Sequence, residues 1–195
     1  MPRGYHRSAQ WCLARASSFS EVHRTASGHL PEWQQSLTHP AYEARLYVDA
    51  AVAFSAMAVE GFLNLYGVVR LGEDYYRRHL ERMSPTSKVA ALAGFCTGQL
   101  LAPDSEIIRL TRVVAEARNQ LLHPKVTEVD SIEEMFPKDD LLSAQTSVRS
   151  MLRFFELFDK IDSKARCLMQ MMDYGFDKQY RFPFEAWDCT KRDGS

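Results

Sequence analysis

The sequence has little of what marks a secreted, disulfide-rich or zinc-binding protein. It has four cysteines, with no C-x-x-C pair and no zinc-site spacing among them, at Cys12, Cys96, Cys167 and Cys189. Scattered thiols of this kind are typical of buried or idle cysteines in a reducing compartment. The opening segment MPRGYHRSAQW also lacks the apolar stretch of a signal peptide. We therefore expect a cytoplasmic protein.

Long hydrophobic runs, an excess of one charge, internal repeats and low-complexity tracts are missing as well. The longest apolar run extends over ten residues from Ala50 to Val59, interrupted by Ser55, and this length suits a buried helix rather than a membrane span. The formal net charge of −1 argues against binding to nucleic acid through bulk charge alone, but it allows a local basic cleft. With 195 residues, 46% of them apolar and 25% charged, the chain is long enough for one globular domain with a core.

Apolar residues recur at spacings of three and four along most of the chain, and no segment alternates with a period of two. We therefore predict an all-α fold, an antiparallel bundle of four to five main helices. Residues 1–40 are predicted as an N-terminal helical extension and residues 41–175 as the bundle. Residues 176–195 are predicted as an aromatic C-terminal arm that packs over the bundle or contacts a second subunit.

Glycine, proline and capping residues predict where the helices end. The long helix should cover residues 41–71 and end at Gly72, and a helix opened by Ser84 and Pro85 should stop near Gly98. Asp74 and Asp104 are predicted N-caps of two further helices, and the last helix should run from about Asp139 to Met172. The residues predicted to face the core are Val48, Val52, Ser55, Val59, Phe62, Tyr66, Val89, Leu92, Phe95, Ile107, Leu110, Val114, Ala117, Leu121, Leu141, Ala144, Val148, Met151, Phe155 and Phe158.

The run AEARNQLLHPK, residues 115–125, closes the helix that begins near Asp104. Asn119 and His123 are four residues apart and lie together on the face opposite the apolar stripe, with Arg118 on the flank. The C-terminal helix dipole favours a protonated His123, whereas nearby Arg118 disfavours it, and the sequence leaves this balance open. The helix thus presents a guanidinium, an amide and an imidazole on one surface.

These three groups suit phosphate chemistry. Arginine grips a phosphate through paired hydrogen bonds, and histidine transfers protons near neutral pH. Because RNA carries its own nucleophile, the 2′-hydroxyl, no metal is required, and we expect no cofactor. The same Arg-x4-His interval occurs at Arg24 and His29, but that copy lacks the asparagine, contains Gly28 and lies in a turn-rich stretch.

The segment ARNQLLHPK resembles the signature of the HEPN superfamily, in which arginine, a polar residue and, a few positions later, histidine lie on a late helix of a helical bundle. The run AMAVEGFLN, residues 56–64, is similar to the helix that many HEPN domains pack beside it. The resemblance covers about residues 41–175. It implies a metal-independent endoribonuclease that cuts single-stranded RNA by 2′-hydroxyl attack and leaves a cyclic phosphate.

The resemblance also implies the roles of the residues. Arg118 would bind and stabilise the phosphate, His123 would act as acid or base, and Asn119 would hold the geometry or touch the backbone. Two subunits would pack so that both signatures line one cleft, which a two-fold homodimer achieves. Family members commonly act as toxins of toxin–antitoxin pairs, in phage defence or in RNA processing.

Other polar residues are candidates for supporting roles. Glu60 and Asn64 lie four apart on the long helix, and Glu60 could pair with Arg118 and orient it, or could be a solvated acid. Weaker candidates for RNA binding, with solvated surface charge as the alternative, are Arg112, Lys125, Arg77 and Arg78.

Two other functions compete with the nuclease. The chain could be a non-catalytic HEPN module that dimerises or binds a partner such as a nucleotidyltransferase antitoxin. Its near-neutral charge favours this alternative, whereas the intact Arg118, Asn119 and His123 trio weighs against it. The chain could also be a generic helical bundle in which the motif occurs by chance.

Overall fold

The computed structural model describes residues 5–26, 39–122 and 140–174. Within these ranges the secondary structure is helical apart from short connections, without a strand, which confirms the all-α fold. The helices are α1 (Tyr5–Ala26), α2 (His39–Leu71), α3 (Glu73–His79), α4 (Pro85–Thr97), α5 (Glu106–Leu122), α6 (Asp140–Ile161) and α7 (Ala165–Tyr174).

Helix α2 is the central element, and it contacts each of the other six described helices. Its predicted core face, from Val48 to Tyr66, is buried throughout. Phe62 lies at the centre of an aromatic cluster, with ring centroids 6.0, 5.4 and 4.9 Å from those of Phe154, Phe155 and Phe158. Edge-on ring packing of this kind strengthens the core beyond simple burial of apolar area.

The apolar character of α2 extends well beyond the ten-residue run. Over the described residues, the segment Glu43–Leu71 is long and apolar enough to cross a membrane, with a mean hydropathy of 1.5 in its most apolar window. Half of that window is buried inside the bundle. Burial among neighbouring helices is therefore sufficient to account for its composition.

Helix α1 packs along α2 and also touches α6. Its inner face buries Ala9, Cys12 and Ala16 in the same hydrophobic core as α2. On its outer side, the Trp11 ring meets the edge of Tyr47 at 5.4 Å between centroids. The described part of the predicted N-terminal extension thus contributes directly to the core.

Several predicted helix ends are confirmed. Gly72 follows α2 with φ of 87°, a left-handed conformation that glycine adopts readily. Ser84 caps α4 by accepting a hydrogen bond from the Ser87 backbone N–H, and Pro85 occupies the first turn. Gly98 ends α4 with φ of 72°.

Other local predictions are wrong. Asp74 lies inside the first turn of α3, because that helix already begins at Glu73. Asp104 is not a cap, since residues 102–105 form a turn and α5 begins at Glu106. Phe95 is 59% exposed, with its ring beside that of Tyr75.

The last predicted helix is in fact two helices. Helix α6 ends at Ile161 and α7 begins at Ala165. Between them, Asp162 is buried, and its carboxylate accepts hydrogen bonds from the Tyr66 hydroxyl and the Lys164 backbone N–H. The contact between Tyr66 and Asp162 thus lies at the break between α6 and α7, and the spacing of apolar residues does not predict that break. In α6, Phe154 is fully buried, whereas Phe155, which the spacing predicts to face the core, is only partly buried.

Candidate functional site

Arg118 lies on the face of α5 that packs against α2. Its Nη1 atom donates a hydrogen bond to Glu60 Oε2 at 2.8 Å, across 58 positions of sequence. The Arg118 side chain is 30% exposed and that of Glu60 is 36% exposed. Of the two alternatives left open for Glu60, pairing with Arg118 is the one that the structure has, at a half-buried position where both side chains remain accessible to solvent.

Asn119 stands next to this pair on the exposed side of α5. Its Oδ1 accepts a hydrogen bond from Arg118 Nη2 at 3.1 Å. The remaining guanidinium nitrogen, Nε, is buried without a partner among the described residues. Both Nη atoms thus have one protein partner each, and each keeps a second N–H.

The seam between α2 and α5 beside Arg118 is nearly closed. A recess of about 10 Å³ lies there, lined by residues that include Ala56, Pro85, Thr111 and Arg118. That volume holds about one water molecule. A larger molecule therefore does not fit into this seam, whereas the Asn119 side of α5 is exposed.

Two of the predicted site residues, His123 and Lys125, lie outside the described residues, whose nearest range ends at Leu122. Among the weaker candidates, Arg112 is exposed and lies seven positions before Asn119, on the same face of α5. Arg77 pairs with Glu73 of its own helix at 2.7 Å, and Arg78 is exposed.

Asn64, one helical turn beyond Glu60, belongs to a second polar group. Its Oδ1 accepts hydrogen bonds from the Tyr76 hydroxyl at 2.5 Å and from Lys88 Nζ at 2.7 Å. Lys88 also donates to the Glu81 carbonyl at 3.3 Å and is only 1% exposed. The amide oxygen of Asn64 is thus used to fix two side chains from other parts of the bundle.

Lys88 is the residue that the sequence analysis missed. A signal was present, because Lys88 lies four positions before Leu92, on the apolar face of α4. Lysine is almost never fully buried unless it is paired, so a lysine in that register predicts a buried acceptor. Asn64 and the Glu81 carbonyl are those acceptors.

Negative charge surrounds this group. Burial lowers the pKa of Lys88, and the carboxylates of Glu60 and Glu81 oppose that shift. Burial also raises the pKa of Tyr76 to about 12, with a further contribution from Glu81 and Glu60. The Glu60 carboxylate therefore acts on Arg118 on one side and on Lys88 and Tyr76 on the other.

A groove of about 530 Å³ opens beside Glu60. One face of α2 between Met57 and Val68 forms its floor, and its walls come from Tyr5 of α1 and from α3. The lining residues are Tyr5, Met57, Glu60, Gly61, Asn64, Leu65, Val68, Glu73, Tyr76, Arg77 and Glu81. Glu60 thus belongs both to this groove and to the Arg118 pair.

Within the described residues, the side chains that commonly bind metals do not form a cluster. No set of three or more histidine, cysteine, aspartate or glutamate side chains among these residues is close enough to hold a metal ion.

No protein-family model, no curated protein sequence and no solved structure matches this chain.

Proposed function

We propose that this protein is a metal-independent endoribonuclease of the HEPN type, which cleaves single-stranded RNA by attack of the 2′-hydroxyl. The observation that carries the proposal is the contact of Arg118 with Glu60 and Asn119 at a half-exposed surface. A guanidinium held from behind by a carboxylate is oriented before substrate arrives, which is what stabilisation of a developing charge requires.

In the proposed reaction the 2′-oxygen bonds to phosphorus as the bond to the 5′-oxygen breaks. His123 either takes the proton of the 2′-hydroxyl while water protonates the leaving 5′-oxygen, or protonates that oxygen while water takes the proton of the 2′-hydroxyl. The products are a 2′,3′-cyclic phosphate and a 5′-hydroxyl. Arg118 uses its remaining N–H groups on the phosphate oxygens. Glu60 positions Arg118, and Asn119 holds the guanidinium plane.

A homodimer fits the proposal, because a second copy would supply a second signature to the same cleft. In the cell, such an enzyme would act as a cytoplasmic toxin or phage-defence component.

The test is cleavage of single-stranded RNA in the presence of a chelator. Arg118→Ala and His123→Ala should each lower the cleavage rate by about 10²–10⁴-fold, the usual effect of losing a charge-stabilising or proton-transferring group. Arg153→Ala is the matched control, since Arg153 also pairs with a glutamate of another helix, Glu106, at 2.9 Å. Full activity in both site variants would end the nuclease proposal.

The alternative is a non-catalytic HEPN module that binds a protein partner such as a nucleotidyltransferase antitoxin. One observation favours it: Glu60 already offsets the charge of Arg118, and Asn119 occupies part of its donor edge. This alternative predicts no RNA cleavage by the wild type. It also predicts loss of complex formation in a pull-down with the partner when Arg118 or Asn119 is replaced.

A further inference from the structure

The groove beside Glu60 has the size and lining of a ligand site. Its volume of about 530 Å³ lies in the range of 300–1,000 Å³ that is typical of small-molecule pockets. Its floor combines apolar side chains, Met57, Leu65 and Val68, with two polar ones, Glu60 and Asn64. A mostly apolar surface with a few placed polar groups suits a flat heterocyclic ring with a polar edge.

The polar groups on the floor have defined hydrogen-bonding roles. Asn64 Oδ1 already accepts two hydrogen bonds, from Tyr76 and Lys88. Over the described residues no acceptor is bonded to its Nδ2, so Asn64 offers only donors to a ligand. Glu60 bonds to Arg118 through Oε2, and its carboxylate keeps further acceptor positions. A carboxylate acceptor and an amide donor therefore lie one helical turn apart.

The charges of the walls decide which part of a nucleotide can enter. Three carboxylates line the groove, on Glu60, Glu73 and Glu81, and Arg77 is paired with Glu73. A phosphate is repelled by this lining, whereas a neutral ring that carries several N–H donors is attracted. Arg118, on the other side of Glu60, is the nearby cation suited to the phosphate.

We propose that this groove binds the nucleobase adjacent to the phosphate held by Arg118, and that it prefers guanine and disfavours uracil. The inference rests on the proposed function. Guanine presents the N1–H and N2–H donors to the Glu60 carboxylate and its O6 acceptor to the Asn64 amide. Uracil has a single ring N–H flanked by two carbonyl oxygens, and the carboxylates of the groove repel these oxygens. Single-stranded RNA exposes these base edges, so they are available for recognition.

The experiment measures binding of guanosine 3′-monophosphate and uridine 3′-monophosphate by isothermal titration calorimetry. The wild type should bind the guanosine nucleotide about tenfold more tightly, the lower range expected for one well-made paired contact to a base. Met57→Trp places a larger ring on the groove floor next to Glu60, from a position that is 41% exposed, and should remove most of that preference. Leu46→Trp is the matched control, because Leu46 is 46% exposed on the same helix outside the groove.

Equal affinity for the two nucleotides, or a preference that survives Met57→Trp, would overturn the inference. If Met57→Trp fails to fold, the side-chain amide resonances of Asn64 in the wild-type protein replace it. They should shift with the guanosine nucleotide and stay unchanged with the uridine nucleotide. The calorimetric experiment measures binding alone and does not depend on cleavage. If the base preference is absent, the nuclease proposal is unaffected. If RNA is not cleaved, the calorimetric experiment still shows whether the groove prefers guanine.

Discussion

Helix α2 carries two polar clusters that differ in how completely they are closed. Near its C-terminal end, the Arg70 and Asp162 side chains are 12% and 8% exposed. In its middle, Arg118 and Glu60 are 30% and 36% exposed. The first cluster is sealed inside the bundle, and the second borders solvent and a groove. Both pair an arginine with a carboxylate, so the pairing alone does not distinguish structure from function.

The closed cluster holds helices together. Arg70 Nη2 lies 3.6 Å from Asp162 Oδ2 and donates to the Cys96 carbonyl at 3.0 Å, while the Tyr66 hydroxyl donates to Asp162 at 2.5 Å. These contacts join α2, α4 and the link between α6 and α7. Burial raises the pKa of Tyr66 well above its ordinary value, and the hydrogen bond to Asp162 adds to the shift. The tyrosine therefore stays neutral and keeps donating.

The open cluster has a different character. Arg118 and Glu60 remain partly in water, which weakens their mutual attraction and leaves N–H groups free for a ligand. Exposure, rather than charge pairing, therefore separates a structural ion pair from a candidate site in this bundle.

Breaking the closed cluster should cause the largest loss of stability. Asp162→Ala leaves Arg70 charged and buried and removes the acceptor of Tyr66, so the free energy of unfolding should fall by about 3–5 kcal/mol. Urea unfolding followed by circular dichroism measures this. Asp159→Ala, which removes the partner of exposed Arg166, is the control and should cost about 1 kcal/mol or less. Similar losses in both variants would contradict the distinction between closed and open pairs.

The next largest loss of stability is expected from a substitution at Gly67, which lies between the two clusters on α2. A Cβ atom there would lie 2.5 Å from the Tyr76 ring, so Gly67→Ala should displace that ring and lower the free energy of unfolding by about 1–3 kcal/mol. Because Tyr76 also bonds to Asn64, the groove should be disturbed as well. Gly94→Ala, at a helical glycine with open space around it, should instead stabilise the protein by about 0.5–1 kcal/mol. Thermal unfolding distinguishes the two signs.

The open pair should contribute little to stability. A double-mutant cycle with Arg118→Ala and Glu60→Ala should give a coupling energy of about 0.2–1 kcal/mol, as for other half-exposed ion pairs. The same Arg118→Ala protein should nevertheless lose RNA cleavage. A coupling of several kcal/mol, with cleavage unchanged, would place Arg118 with the structural pairs.

The smallest expected effect concerns the other end of α5. Hydrogen bonds from Arg153 hold the pKa of Glu106 below its ordinary value. The folded-state pKa is the lower one, so this stabilisation is present above the unfolded-state pKa and disappears as pH falls through the folded-state value. Glu106→Gln should therefore lose less stability than the wild type between neutral pH and acid below about pH 4.5. Urea unfolding of both proteins, at neutral pH and at a pH below about 4.5, measures this difference in stability.

A control for the acid effect lies on the same helix. Glu116 is exposed, and none of the described residues forms an ion pair with it. Because Glu116→Gln keeps the contact between Arg153 and Glu106, this variant should keep the loss of stability in acid that the contact causes. An equal change in both variants would mean that loss of any carboxylate, rather than the Arg153 contact, is responsible.

Local rules were enough for the helices and several of their ends. The periodicity of α2 predicts its buried face from Val48 to Tyr66, because apolar residues three and four apart share one side of a helix. Gly72, Ser84 and Gly98 mark ends for reasons that are local to the backbone. For Glu60 the sequence left two alternatives open, a contact with Arg118 and a solvated acid, and only the packing of α5 on α2 decides for the contact.

The tertiary structure alone decided the rest. Asp162 interrupts an apolar pattern that reads as one continuous helix, and its partners Tyr66 and Arg70 lie about ninety positions away. Lys88 can be buried because Asn64 Oδ1 and the Glu81 carbonyl accept hydrogen bonds from its ammonium group. The groove lies where, among the described helices, α1 and α3 leave one face of α2 uncovered. Periodicity and capping act within a few residues, whereas burial, pairing and open space depend on which distant elements meet.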